Sequence, residues 1–382
     1  MAVSLAGNSG AASSMSEREQ QRVEFLARAG LAGATRVPLP GDASTRRYER
    51  LHLADGTTLM LMDQAAALES PPCGPDWDDD SRLQAGWNAT ARLSAGRVEA
   101  FAAVAAHLKK HGLSAPEIVA LDAPAGLAVL EDLGAGVFAN LIGMGVHAED
   151  ELYFNAIDVL ARLHAAETPA VLEGEGARWT LLDYDALALK AGADLFVEWY
   201  PRFEPSLDFG PETIAEWDAL WLPIARRGAA GASVFAHRDY HAENLLWLPD
   251  REGVARVGLI DFQDAVRAHP SWDLHSLLQD ARRDVPPDLE RAALERYFAA
   301  RPGLDREAFL ADYAALAALN EARILGIFAR LIFRDGKPRY RQFMPRMWRH
   351  LQANLAAPGM EGLKAWFDRH VPPEARLAEA RL

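Results

Sequence analysis

Apolar residues recur at helical spacing near the start of the chain, after a stretch rich in glycine, serine and alanine. A Ser-x-x-Glu capping box that begins at Ser16 predicts a helix over about residues 16–29, with Val23, Leu26 and Ala27 on one face. We therefore expect the folded body to begin near Ser16 and residues 1–15 to form a disordered tail.

Two strand-like runs follow, over residues 46–53 and 57–62. The Asp-Gly pair between them is typical of a hairpin turn, so the runs predict two antiparallel strands. Another strand is predicted over residues 126–133. Between the hairpin and this strand, the pattern predicts an irregular surface loop over residues 64–96. The apolar spacing of residues 97–111 predicts a helix.

The second part of the chain is mostly helical in pattern. Apolar spacing predicts helices over residues 149–166, 183–199, 211–227, 271–283, 287–300 and 306–354. One strand-rich stretch, residues 234–262, interrupts them. Length and pattern together predict an α+β fold with two lobes: a small β-rich N-terminal lobe over residues 16–131 and a larger, mostly helical lobe over residues 132–382.

Composition excludes several classes of protein. The formal net charge of −14 argues against a nucleic-acid surface, because such surfaces need clustered Lys and Arg. Cys73 is the only cysteine, so an internal disulfide is impossible, which fits a reducing cytoplasm. No segment approaches the ~18 consecutive apolar residues of a membrane helix, and the N-terminus lacks the features of a signal peptide. We expect a cytoplasmic protein and leave its oligomeric state open.

The segment HRDYHAEN, which begins at His237, precedes the apolar run LLWL. It places Asp239 and, five positions later, Asn244 in one loop. Phosphoryl transfer to an alcohol needs a carboxylate near the hydroxyl and an oxygen ligand for the metal on the phosphates. The loop therefore predicts a catalytic site. An ordinary polar turn before a strand is the alternative interpretation.

A second apolar strand, over residues 257–260, ends in Asp261, 22 residues beyond Asp239. A turn rich in Pro, Asp and Gly near residue 250 would return this strand to the first, so that Asp261 lies beside Asp239 and Asn244. A carboxylate there can hold the magnesium that bridges the phosphates. A strand-ending Asp alone is more often a turn cap, but its pairing with the first motif predicts a metal ligand.

The two motifs resemble those of the aminoglycoside phosphotransferase and choline kinase family, which has the protein-kinase-like fold. In that family the first motif is typically His-Gly-Asp-x-His-x-x-Asn, and Arg238 replaces the glycine here. The resemblance implies that Asp239 is the catalytic base, Asn244 a metal ligand and Asp261 the main metal ligand. It also implies that ATP and Mg²⁺ are the cofactors.

The same resemblance implies how the adenine is held. Residues 129–132, VLED, would form the hinge between the lobes, where backbone groups face the adenine. Glu131 and Leu133 are accordingly predicted to contact the nucleotide. Without the family resemblance, this stretch would be interpreted equally well as a buried strand.

Longer blocks are similar to bacterial anomeric sugar kinases that act on N-acetylmuramate and N-acetylglucosamine, over about residues 20–355. The blocks are GDASTRRY from Gly41, LMD from Leu61, EDLG from Glu131, LFxEWY from Leu195, DFQDAV from Asp261, DLxSLLxD from Asp273, GIFARL from Gly326 and RDGK from Arg334. This similarity implies an ATP-dependent kinase of a small amino sugar. Its product would be the sugar 1-phosphate, formed in the recycling of cell-wall sugars.

Ser44, Thr45 and Arg46 are predicted to bind the nucleotide phosphates. Short hydroxyl side chains and exposed backbone N–H groups at a hairpin tip can cradle phosphate oxygens, and an arginine can neutralise them. A solvent-facing polar turn is the alternative for this tripeptide alone. No lysine occurs between residues 1 and 108, so the usual strand lysine is missing. Either Arg46 or Arg47 replaces it, or metal and backbone hold the phosphates.

Four residues are candidates for binding the sugar: Glu198, Trp199, Asp264 and Arg330. An aromatic ring face can pack on a pyranose, while charged groups bind its hydroxyls. A core position is the alternative for Trp199, and a loop cap is the alternative for Asp264. Asp273, near the start of a predicted helix, suits a capping role, and the resemblance suggests that it also braces the catalytic loop.

Two other functions stay open. An aminoglycoside or choline kinase would need an acidic pocket for a cationic acceptor, and the dense acidic cluster at residues 76–80 is poorly placed for one. A nucleotide-binding pseudokinase is suggested by the missing lysine. The intact Asp239, Asn244 and Asp261 argue against it.

Overall fold

The computed structural model describes residues 16–40, 46–64 and 71–376. These residues form two compact units, of which the N-terminal unit draws on Met1–Ala65 and Ile118–Asp132 and the C-terminal unit on Ala66–Glu117 and Leu133–Leu382. The expected tail over residues 1–15 lies outside the described residues, as do Ser44 and Thr45.

The N-terminal unit is a five-stranded antiparallel sheet with one helix. Its elements are α1 (Glu17–Arg28), β1 (Thr35–Pro38), β2 (Arg47–His52), β3 (Thr58–Asp63), β4 (Ile118–Asp122) and β5 (Leu127–Glu131). The strands lie in the order β1-β2-β3-β5-β4. Strands β2 and β3 form the predicted hairpin, in which Gly56 has a φ of +87° and Asp55 accepts a hydrogen bond from the N–H of Thr57 at 2.8 Å.

Helix α1 begins as predicted, because the hydroxyl of Ser16 accepts a hydrogen bond from the N–H of Glu19. Only part of its apolar face is buried. Leu26 is buried together with Phe25, whereas Val23 is 40% exposed, so the buried face is centred on Phe25 and Leu26. Apolar spacing alone did not determine the orientation of this helix.

Ion pairs with the sheet explain that orientation. Arg18 and Arg22 on α1 bind the carboxylate of Asp63 at the end of β3. Glu49 on β2 binds Arg22 and Arg36. Both carboxylates are buried, and a buried carboxylate without a cation destabilises a fold. Rotating α1 about its axis would separate these pairs.

The C-terminal unit is mostly helical. Its helices are α2 (Asp79–Ala85), α3 (Trp87–Thr90), α4 (Val98–Lys110), α5 (Phe138–Gly143), α6 (Glu149–Ala165), α7 (Ala186–Phe203), α8 (Pro211–Ala230), α9 (Ser271–Leu278), α10 (Pro287–Ala300), α11 (Arg306–Phe333), α12 (Met344–Leu355) and α13 (Glu361–His370). Its strands are β6 (Val171–Gly174), β7 (Ala177–Thr180), β8 (Val234–Ala236), β9 (Leu245–Trp247), β10 (Val257–Leu259) and β11 (Val266–Ala268). These strands pair as β6-β7, β8-β11 and β9-β10, so the predicted α+β fold class is confirmed.

Helices α2 and α3 lie within residues 64–96, for which the prediction of an irregular loop was wrong. The physical cause is a buried arginine. Arg82 on α2 is 1% exposed and binds the carboxylate of Asp185 at 2.6 Å. Asp185 also caps α7 by accepting the N–H of Ala188. One carboxylate therefore fixes α2 against the start of α7, a contact across about a hundred residues that periodicity does not reveal.

Residues 66–117 belong to the C-terminal unit, whereas the predicted N-terminal lobe over residues 16–131 contained them. Helix α4 is buried on nearly all sides. Its Phe101 stacks on Phe262, with ring centroids 4.7 Å apart. In sequence, this helix lies between two strands of the N-terminal sheet, yet it packs within the C-terminal unit.

Helix α11 ends at Phe333, so the predicted single helix over residues 306–354 is divided. Gly336 follows with a φ of +63°, and Pro338 begins a 3-10 turn that leads into α12. Glycine readily adopts positive φ, and proline cannot donate the next helical hydrogen bond.

Among the described residues, no helix combines the length and apolar character that crossing a membrane requires.

Helices α7 and α11 pack at very close range, and Gly326 permits this. A Cβ added to Gly326 would overlap the backbone carbonyl group of Leu195 on α7. The Gly326→Ala variant is therefore expected to lower the free energy of unfolding by about 2 kcal/mol, since overpacking outweighs the better helix propensity of alanine. Urea unfolding measures the change. The matched control is Gly303→Ala, where an added Cβ meets no atom within 4 Å. Equal stability of the two variants would contradict the packing argument.

Candidate active site

The loop between β8 and β9 carries the predicted catalytic segment. Its first two residues are held by Asp273 on α9, whose carboxylate accepts the N–H of His237 at 2.6 Å and the N–H of Arg238 at 2.8 Å. The predicted bracing role of Asp273 is thus confirmed. Asp273 is fully buried, and burial raises the pKa of its carboxyl group while the two N–H donors oppose that rise.

Arg238 occupies a left-handed backbone conformation, with a φ of +78°. Glycine adopts this conformation without strain, and arginine does not. The side chain gains contacts that a glycine cannot make. Its guanidinium donates to the carbonyl oxygens of Ala91 at 2.7 Å and Arg92 at 3.0 Å, and it lies 4.6 Å from the ring centroid of Tyr184. Arg238 therefore fastens the catalytic loop to the segment after α3.

The Arg238→Gly variant is expected to lower the free energy of unfolding by about 2 kcal/mol, because the lost charge-assisted hydrogen bonds outweigh the relief of backbone strain. Arg238→Ala loses the same contacts but keeps the strain. We expect it to be about 1 kcal/mol less stable than the glycine variant. Urea unfolding of both variants at pH 7 tests this, and equal stabilities would show that the positive φ carries no strain.

Asp239 is an accessible carboxylate of the loop, with 55% of its side chain exposed. One of its oxygens lies 3.3 Å from Nε2 of His241. Desolvation acts to raise the pKa of Asp239, but the charges of His241 and Arg282 outweigh it and hold the pKa well below its usual range. Asp239 is consequently a carboxylate at neutral pH. It can orient a hydroxyl group and accept its proton late in a transfer.

Asn244 is oriented by the backbone of the same loop. Its Nδ2 donates to the carbonyl oxygen of Asp239 at 2.9 Å, and its own N–H donates to the carbonyl oxygen of His241 at 2.8 Å. Since the amide nitrogen is used in this way, Oδ1 is the atom that Asn244 can offer to a cation. Amide oxygen is a hard ligand of the kind that Mg²⁺ accepts.

The predicted hairpin of β9 and β10 brings Asp261 beside the end of the loop that carries Asn244. Strands β9 and β10 pair with Leu245 opposite Leu259, and the N–H of Ile260 donates to the carbonyl oxygen of Asn244 at 3.2 Å. Asp261 has a φ of +64°, a left-handed backbone conformation that Asp and Asn tolerate better than most residues. Nε2 of Gln263 donates to its Oδ1 at 3.1 Å.

The oxygens of Asn244 and Asp261 fit a magnesium ion by their chemistry. Mg²⁺ is usually bound through one or two protein oxygen ligands together with phosphate oxygens and water. Within the described part of the chain, no group of three or more His, Cys, Asp or Glu side chains could hold a metal. A magnesium ion here would therefore take most of its ligands from the nucleotide and from water.

Comparison with known proteins identifies the family. The model of the phosphotransferase enzyme family matches residues 35–319. The chain belongs to this family. The predicted resemblance and the predicted enzyme class, a phosphotransferase, are thereby confirmed.

Two named relatives of this phosphotransferase are N-acetylmuramate/N-acetylglucosamine kinases. The protein from Caulobacter vibrioides is 57% identical over 361 residues, which cover 94% of this chain and 99% of that protein. The protein from Pseudomonas aeruginosa is 30% identical, over 84% of this chain and 83% of that protein. The similarity therefore extends over nearly the full length of the first relative.

Solved structures show the same fold. A GDP complex of an aminoglycoside 2′-phosphotransferase-IIIa mutant has a TM-score of 0.54 at 14% identity, and it covers 88% of this chain and 100% of that chain. The ADP-bound aminoglycoside phosphotransferase APH(2″)-Ib has a TM-score of 0.51 at 13% identity, with coverage of 88% and 96%. The protein-kinase-like fold of the phosphotransferase is confirmed.

Asp264 has a structural position in this phosphotransferase. Its Oδ1 accepts the N–H of Ser94 at 2.6 Å, and Nε2 of Gln263 lies 3.4 Å from Oδ2. Gln263 thus connects Asp264 to Asp261. These contacts match the loop-capping alternative, and a contact of Asp264 with the sugar stays a prediction.

The other predicted sugar-binding residues lie together on α7 and α11, away from the catalytic loop in sequence. Glu198 is exposed, and Arg330 is half-buried. Trp199 is 9% exposed and belongs to the hydrophobic core. The guanidinium carbons of Arg202 and Arg334 lie 4.5 and 5.7 Å from its ring centroid. Stacking of a sugar on Trp199 therefore stays a prediction.

The predicted nucleotide-binding residues are placed as follows. Arg46 precedes β2 and donates from Nη1 to the hydroxyl of Tyr48 at 3.2 Å. Glu131 is the last residue of β5, opposite Leu59 of β3. Leu133 belongs to the C-terminal unit. Their contacts with a nucleotide stay predictions.

Sequence reasoning missed the roles of His241 and Arg282. His241, to which the sequence analysis assigned no role, contacts both Asp239 and Asn244. A signal was present, since His241 is part of the family motif. Arg282 binds Glu243 at 2.9 Å and its charge acts on Asp239. No pattern in the sequence indicated that Arg282 would lie there.

Proposed function

We propose that this phosphotransferase moves the γ-phosphate of ATP to the anomeric hydroxyl of N-acetylmuramate or N-acetylglucosamine. The product would be the sugar 1-phosphate. The observation that carries the chemistry is the grouping of Asp239, Asn244 and Asp261 around one hairpin. The 57% identity to a kinase named for these two sugars supports the choice of acceptor.

In the proposed mechanism, Asp239 accepts a hydrogen bond from the anomeric hydroxyl and aligns its oxygen with the γ-phosphorus. Its low pKa suits a transfer in which the proton moves late, after bond formation has begun. Asn244 and Asp261 would hold Mg²⁺, which neutralises charge on the phosphates when it is bound. Positioning by the rigid loop, which Asp273 and Arg238 brace, supplies much of the rate enhancement.

We further propose that Ser44, Thr45 and Arg46 bind phosphate oxygens and that Glu131 and Leu133 contact the adenine. Arg46 or Arg47, at the start of β2, would replace the missing lysine. The reaction would serve the reuse of cell-wall amino sugars in the cytoplasm.

A coupled assay of ADP release tests the proposal. The acceptors are N-acetylmuramate, N-acetylglucosamine, choline and kanamycin, each supplied with ATP and Mg²⁺. We expect turnover with the first two, and ³¹P NMR of the product should show coupling of phosphorus to the anomeric proton. Turnover only with choline or kanamycin would overturn the acceptor assignment. If none of the four acceptors supports ADP release, a nucleotide-binding module would be favoured.

A further inference from the structure

The segment from α11 into α12 is strongly basic, although the chain as a whole carries a formal charge of −14. Residues 330–349 contain seven Arg or Lys residues and one acidic residue. Some of these cations have carboxylate partners: Arg334 binds Asp335 at 2.6 Å, and Arg346 and Arg349 bind Asp284 at 2.7 and 2.9 Å. Arg330 differs from them.

Arg330 has an unsatisfied guanidinium group. Its Nε is shielded from solvent and has no hydrogen-bond partner among the described residues. The nearest carboxylate in sequence, Asp335, is bound to Arg334 through two contacts. A buried N–H group without an acceptor destabilises a protein, and a bound acceptor would remove that cost.

The surroundings of Arg330 increase its affinity for an anion. Burial lowers the pKa of its guanidinium, and the like charge of Arg334 lowers it further. Glu198, on the neighbouring helix α7, and Asp335 act in the opposite direction. Bound negative charge would relieve both effects, because a carboxylate both accepts the free N–H and offsets the repulsion.

The electrostatic contacts of Arg282 connect this region with the catalytic loop. Burial lowers the pKa of Arg282, but Asp239 and other acidic groups, together with Tyr340, raise it overall. Tyr340 thus lies within electrostatic reach of the same guanidinium as Asp239. Its ring packs 5.3 Å from that of Phe328 on α11, two residues before Arg330. The turn after α11 therefore contacts α11 at Phe328 and acts electrostatically on the same arginine as Asp239.

We propose that Arg330 determines acceptor specificity by binding the carboxylate of N-acetylmuramate. This inference rests on the proposed function. N-acetylmuramate is N-acetylglucosamine with a lactyl ether, and the ionised group of that ether is the one charge that distinguishes the two sugars. The buried Nε–H of Arg330, which has no acceptor among the described residues, would donate to the carboxylate of the bound sugar. It leaves the neutral sugar to be bound by the remaining contacts.

The test compares the two sugars in one variant. In Arg330→Gln, the KM for N-acetylmuramate should rise by about 10- to 100-fold, while kcat/KM for N-acetylglucosamine changes less than about threefold. Arg330→Lys keeps the charge but loses the fork of donors. Its KM for N-acetylmuramate should lie between those of Arg330→Gln and the wild type. Arg349→Gln is the matched control: it removes an arginine of the same segment that Asp284 already binds, and both sugars should be unaffected.

The outcomes separate this inference from the proposed function. Equal losses of kcat/KM for both sugars in Arg330→Gln, or no loss for either sugar, would overturn the carboxylate assignment. The kinase activity would still be established. A wild-type enzyme that phosphorylates neither sugar would overturn both. If Arg330→Gln does not fold, the comparison is made with Arg330→Lys, where an unchanged preference between the sugars counts against the assignment.

Discussion

Replacing Asp239 by asparagine is expected to reduce kcat by about 10²- to 10⁴-fold, the range typical of a lost general base. The substitution keeps the shape of the side chain and removes its charge. The amide can still contact His241, but it cannot accept the proton of the acceptor hydroxyl. Nucleotide affinity should be unchanged, since Asp239 is not among the residues proposed to hold the nucleotide. Steady-state kinetics and calorimetric titration with ADP measure the two quantities.

The matched control for this variant is Asp250→Asn, in the exposed turn of the hairpin that connects β9 and β10. It removes the same charge about ten residues away and should leave kcat unaltered. Turnover of Asp239→Asn within twofold of the wild type would remove Asp239 from the mechanism. A large loss of ADP affinity in that variant would instead assign it to nucleotide binding.

The Asp261→Asn variant is expected to lower kcat by about 100-fold or more and to weaken the response to Mg²⁺. Asparagine tolerates the positive φ at this position almost as well as aspartate, so the backbone should be preserved. The neutral amide oxygen binds a divalent cation much less strongly than a carboxylate. We therefore expect Mg²⁺ to strengthen ADP binding in the wild type and to have little effect in the variant.

Calorimetric titration of ADP with and without Mg²⁺ reads out this prediction without any turnover. Asp264→Asn is the control, because Asp264 is three residues away and its side chain caps the N–H of Ser94. An Asp261→Asn enzyme whose ADP affinity still rises with Mg²⁺ as in the wild type would show that the metal is held elsewhere.

The core of the candidate site could be predicted from sequence because its residues are close together along the chain. Asp239 and Asn244 share one loop, and a single hairpin returns the chain to Asp261. Turn chemistry and alternating apolar residues specify such a hairpin locally. The bracing role of Asp273 came from family resemblance, and its two hydrogen bonds confirm it.

Contacts between distant segments could not be predicted in this way. Arg238 reaches carbonyl groups nearly 150 residues earlier, and Arg82 binds Asp185 about a hundred residues later. Each pairing depends on tertiary packing, and many arginines in the chain would satisfy the same local pattern. The orientation of α1 could not be predicted for the same reason, because Arg18 and Arg22 bind a carboxylate on the sheet about forty residues later.

The N-terminal unit contains no lysine, and the first lysine of the chain, Lys109, belongs to the C-terminal unit. Chemical probes that label kinases by acylating a lysine beside the nucleotide therefore have no side-chain amine to modify in this unit. Surveys of kinases based on amine capture would under-represent an enzyme built in this way. Arginine-directed dicarbonyl reagents, with ATP as the protecting ligand, can test the proposed role of Arg46 instead.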